Sequence, residues 1–153
     1  MHIRHFLLAI YLFGVSAFAY AGGFPSELFG VELGSDISEL KGVKDTRAYR
    51  TVSIVPPNPD GRLDLYLANY DEGKKVVGIH AYKANLQPQE CRVLRNAVAD
   101  DLSKKYDVVF RIKKRESGTE YYYSEFEGKA IVIDCRNNGT RLRVALAINR
   151  DAG

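Results

Sequence analysis

Two cysteines and one histidine decide most of the chemistry open to this chain. Cys91 and Cys135 stand 44 positions apart. In an oxidising compartment an even pair most simply forms a bridge, and a bridged cysteine is neither a nucleophile nor a metal ligand. His2 and His5 fall within the first 21 residues, so His80 is the only imidazole beyond them. A multi-histidine metal site cannot then be built within one copy. No G-x-S-x-G elbow offers His80 a serine partner, and the early glycines lack the spacing and lysine of a phosphate-binding loop. No motif calls for a cofactor. Paired-carboxylate hydrolysis alone stays open, because it depends on a separation that sequence does not specify.

The N-terminus sets the compartment. Arg4, an apolar run over 6–13 and the Ala19-Tyr20-Ala21 signature read as a cleaved signal peptide over 1–21. That run is short for a membrane span of roughly 20 residues. The expectation is a periplasmic or secreted protein with no membrane span after cleavage. Residues 22–153 then form a single compact α+β domain with halves at 22–85 and 86–153. Cleavage removes one of 22 basic residues and none of the 19 acidic ones, leaving a net charge of +2. This is too mild for a nucleic-acid partner, and the run from Arg111 to Arg115 reads as edge protection instead.

The element that must position these residues is a helix over 87–106. Pro88 opens it and Glu90 lies in its first turn. Cys91, Leu94, Val98, Leu102 and Tyr106 recur at three- and four-residue steps with Ala97 beside them, forming one apolar stripe. Before the helix, Ser35 or Asp36 and Gly42 bound a short helix over 36–41. Three alternating strands follow over 48–55, 63–68 and 76–82, the second with Leu63, Leu65 and Leu67 on one face. After the helix come strands over 108–113, 121–126, 129–135 and 141–149. Their expected core faces are Val108/Phe110/Ile112, Ile131/Ile133/Cys135 and Leu142/Val144/Leu146/Ile148, and Asn138-Gly139 predicts a two-residue hairpin.

The fold expected is α+β, with antiparallel meander sheets packed by one long and one short helix, an order open to reading as two helix-plus-sheet units in tandem. A single bridge would run from the helix stripe at Cys91 to the strand face at Cys135. In architecture alone this order resembles the tandem helix-and-sheet inhibitor proteins of bacteria.

Two surfaces are candidates for contact. If Tyr122 points inward, Tyr121 and Tyr123 share the outer sheet face with Arg111, Lys113, Arg141 and Arg143, and tyrosine with arginine is the composition of binding hot spots. The loop Pro56, Pro57, Asn58, Pro59 and Asp60 is stiffened by its prolines and loses little entropy on binding. The leading functional expectation is an exported, non-enzymatic domain that binds another protein, as an inhibitor or immunity protein of the bacterial envelope. Behind it stand a small-ligand-binding or envelope-assembly module using the groove between helix and sheet, and third a carboxylate-based hydrolase.

Overall fold

The computed structural model describes residues 24–148, so the expected signal peptide over 1–21 lies outside the described residues. Helix α1 runs Pro88–Tyr106. Gln87 caps it in extended backbone, and its N–H donates to the Glu90 carboxylate at 2.7 Å. Asp107 ends it in the left-handed conformation and donates its N–H to the Ser103 carbonyl, while Lys104 and Lys105 complement the dipole in the last turn. The buried stripe is Cys91, Val98, Ala99 and Leu102, with Leu94 and Tyr106 packed beside it. Ala97, expected beside the stripe, is exposed, and Ala99 takes the buried place.

A hairpin of β1 (Glu27–Leu28) and β2 (Val31–Glu32) comes first. The rest forms one eight-stranded antiparallel sheet: β3 (Lys41–Asp45), β4 (Thr51–Val55), β5 (Leu65–Tyr70), β6 (Val76–Lys83), β7 (Arg111–Lys114), β8 (Glu120–Phe126), β9 (Lys129–Arg136) and β10 (Arg141–Ile148). The spatial order is β3-β4-β5-β6-β10-β9-β8-β7. Two four-stranded meanders therefore meet at their last strands, with Val144 of β10 opposite Ala81 of β6.

One face of the sheet carries the core. Ile131 and Ile133 of β9 and Leu142, Val144 and Leu146 of β10 are fully buried. Cys135 of β9 is joined to Cys91 of α1 with 6.0 Å between Cα atoms, so the helix is stapled to the strand it covers. The β1–β2 hairpin adds Leu28, Phe29 and Val31 to the same core. Phe29 meets the ring of Tyr66 edge-on at 5.3 Å. The hairpin is tied to the far end of the helix, where the Tyr106 hydroxyl donates to Glu27 at 2.6 Å.

Several expectations need correction. The short helix shrinks to a 3-10 turn over Ile37–Glu39 capped by Asp36. Lys41–Asp45 is strand β3 instead, an exposed edge strand without alternating burial and with a register shift between Lys41 and Lys44. In β5 the inward pair is Tyr66 and Ala68, while Leu65 and Leu67 turn outward opposite Tyr82 and His80. The Tyr66 ring fills the space beside Phe29 while its hydroxyl donates to the Asp60 carbonyl at 2.8 Å, and a period of two then forces the leucines out. Leu63 is buried but precedes the strand. Val108 is likewise buried ahead of β7, whereas Ile112 and Ile148 lie beyond the helix's cover and are exposed. The β9–β10 connection is a four-residue loop, since Arg136 pairs with Arg141. The two-residue hairpin forms at Glu127-Gly128, between Phe126 and Lys129, with positive φ at both positions.

Candidate binding face of the sheet

Alternation along the strands builds a second, chemically different face. Tyr122 pairs with Ile133 and packs inward, its ring meeting Phe110 and lying under the Arg95 guanidinium. Tyr121 and Tyr123 must then point outward. Strand pairing lines up the row Leu65, Tyr82, Arg143, Asp134, Tyr121 and Lys113. The next row is Leu67, His80, Ala145, Val132, Tyr123 and Arg111. At one corner the β3–β4 connection brings Tyr49 and Arg50 beside Gly78, His80 and Ala147 around a cavity of about 390 Å³.

The centre of this face is Asp134, which is 0% exposed. Three arginines enclose it: Arg115 at 2.6 Å, Arg136 at 2.7 Å and Arg143 at 2.9 Å. Arg143 uses two nitrogens, donating to both carboxylate oxygens. Sequence reading placed Asp134 inside an apolar strand and missed this cluster. The available signal was parity, because Asp134 and Arg136 alternate with Ile133 and Cys135.

Cations also sit over the tyrosines. Lys113 Nζ lies 3.7 Å from the Tyr123 centroid, Arg115 4.8 Å from that of Tyr121 and Arg141 4.2 Å from that of Tyr82. This ring-cation geometry holds flexible side chains in place. The Glu125 carboxylate, which accepts from the Tyr123 hydroxyl, pushes that hydroxyl up to about 12, with burial adding to the effect. Tyr123 therefore stays a protonated donor. Two buried atoms on the face, Arg141 Nε and His80 Nδ1, have no hydrogen-bond partner among the described residues.

Burial, with Arg143 and Arg136 adding to it, holds the His80 imidazole down at about 4. The unfolded chain would take up the proton near pH 6.5. Stability is thus complete above about pH 6.5 and is lost as pH falls toward 4, by at most about 3 kcal/mol. His80→Gln is expected to flatten this part of a melting-temperature against pH profile. An unchanged profile would mean that His80 titrates freely in the folded protein.

The proline loop is placed elsewhere. Pro56 is buried, and the Asn58 N–H donates to the Phe29 carbonyl of the β1–β2 hairpin at 3.0 Å. Asp60 is held by Arg62 at 2.6 Å, and Arg62 reaches Asp101 of α1 at 2.9 Å. Pro57, Asn58 and Pro59 remain exposed, but the loop's contacts serve to tie hairpin, loop and helix together on the core side. It does not join the tyrosines and arginines of the outer face.

Among the described residues no group of three or more His, Cys, Asp or Glu side chains could hold a metal ion, and no helix is long and apolar enough to cross a membrane. No protein-family model, curated protein or solved structure matches this chain.

Proposed function

We propose that the protein acts by binding another protein through the outer face of β6–β10 and β7–β9, in an oxidising compartment outside the cytoplasm, as an inhibitor or immunity factor would. The observation that carries this reading is a sheet that, among the described residues, α1 and the β1–β2 hairpin cover on one face, and whose other face presents Tyr82, Tyr121 and Tyr123 among Arg111, Lys113, Arg141 and Arg143. The Cys91–Cys135 bridge is compatible with the compartment. The partner's chemistry follows from charge. Asp134 answers only part of the surrounding positive charge, so the complementary surface is acidic.

The test must spare Arg143, because reversing it would set a carboxylate against buried Asp134. The variant Arg111→Glu, Arg141→Glu and Tyr123→Ala keeps the Asp134 cluster whole. Partners captured from envelope and culture fluid are identified by mass spectrometry and titrated against both proteins. The variant is expected to bind the specific partner about 100-fold more weakly, with an unchanged melting temperature. Equal affinity in the folded variant would reject this face.

A further inference from the structure

A second cationic feature lies at the end of the sheet, where the start of α1 faces the tips of the β7–β8 and β9–β10 hairpins. We propose that this cavity binds a small molecule bearing a diphosphate or two phosphate groups, gripped by Arg92, Arg95, Arg115 and Arg136. The cavity measures about 660 Å³, and Glu120 supplies the one carboxylate among its lining residues. That volume is the size of a small-ligand site. Asp134 pairs with Arg115 and Arg136, and Glu120 is itself met by Lys114 at 3.5 Å, so an excess of positive charge remains that a single carboxylate ligand would not neutralise and a diphosphate would.

The partners of these arginines strengthen the argument. Arg115 and Arg136 share Asp134. Arg92 bonds only to the neutral Gln89 amide oxygen, and Arg95 to the Glu120 backbone carbonyl at 2.9 Å and to Asn96. Neither Arg92 nor Arg95 has an ion pair among the described residues. The planar fork of arginine matches phosphate oxygens two at a time.

The walls are fixed in advance. Cys135, bridged to Cys91, forms part of the lining. Gly139 packs so closely on Pro88 that an added Cβ would stand 3.0 Å from the proline Cβ. The Leu86 N–H donates to the Thr140 carbonyl at 3.1 Å. A preorganised site loses little entropy on binding. The chemistry belongs equally to a free diphosphate and to the diphosphate headgroup of a lipid.

Inorganic pyrophosphate is the probe, titrated calorimetrically into the whole protein at low and moderate salt, with vesicles carrying a lipid diphosphate (diacylglycerol pyrophosphate) as a second arm. Arg92→Ala with Arg95→Ala is expected to weaken pyrophosphate binding at least tenfold and to abolish the rise in melting temperature that pyrophosphate causes. The Arg111→Glu, Arg141→Glu and Tyr123→Ala variant should bind pyrophosphate like the unaltered protein, which separates this site from the protein-binding face. Vesicle binding lost in the Arg92/Arg95 variant would assign the headgroup as the source, and pyrophosphate binding without vesicle binding a soluble ligand. If neither probe binds, or if the folded double variant binds both unchanged, the site is rejected.

Discussion

Asp134→Ala is expected to lower the stability of the folded protein by about 3 kcal/mol, read as a shift of the urea midpoint at constant m. The carboxylate is fully buried and accepts from three guanidiniums, and charge-assisted hydrogen bonds of this kind are the strong ones. Arg115 and Arg136 are 38% and 40% exposed, so water recovers part of their loss. Arg143, at 19%, spans both carboxylate oxygens and recovers least. Arg143→Ala should therefore cost more than either Arg115→Ala or Arg136→Ala. On the Asp134→Ala background Arg143→Ala should cost little, because its partner has already gone. The exposed Lys104–Asp100 pair provides the contrast, since removing it should leave the midpoint in place. If Asp134→Ala shifts the midpoint no more than that, the cluster contributes to recognition alone. Against a total stability of about 5–15 kcal/mol the expected loss is large, which is why the proposed binding face must be probed around Asp134 and not through it.

The parts of the fold that were legible in sequence are those where one physical signal dominates. The helix stripe from Cys91 to Tyr106 has a strong period, and β9 and β10 have unbroken inward alternation, so helix, strand faces and bridge could all be read together. Strand β3 was not legible because Lys41-Gly42-Val43-Lys44-Asp45 is exposed throughout, and an edge strand held by pairing to β4 carries no hydrophobic pattern. The facing of β5 was misread because three leucines at alternate positions outweigh one tyrosine by hydrophobicity, while the structure decides by shape, fitting Tyr66 against Phe29. Half of the candidate site followed from the parity of Tyr121-Tyr122-Tyr123. The other half did not, because Asp134 and Arg136 of β9 meet Arg143 of β10 and Arg115 of the β7–β8 loop only through strand register. The cavity beside the start of α1 was invisible for the same reason, since Arg92 and Arg95 on a helix read as a solvated face until the tips of two hairpins are set opposite them.

The second large effect concerns the staple. Replacing Cys91 and Cys135 together by alanine is expected to cost about 4 kcal/mol, the loop-closure entropy released when a cross-link spanning 44 residues is removed. Both sulfurs sit in the core, Cys91 with no exposure and Cys135 with 8%, so alanine also leaves small voids that add to the cost. The loss should not be uniform. The bridge holds the first turns of α1 to the end of β9, whereas the far end of the helix is tied separately by Tyr106 to Glu27. Amide exchange in the variant should accelerate first in α1 near Cys91 and last in β6 and β10, which pair at the centre of the sheet. The cavity at the start of α1 borders the same bridge, so pyrophosphate should bind the variant more weakly even while all four arginines remain. Exchange that accelerates equally across helix and sheet would show that the bridge stabilises by constraining the unfolded chain alone. Preferential loss at the helix start would show that it also holds α1 in register with the sheet.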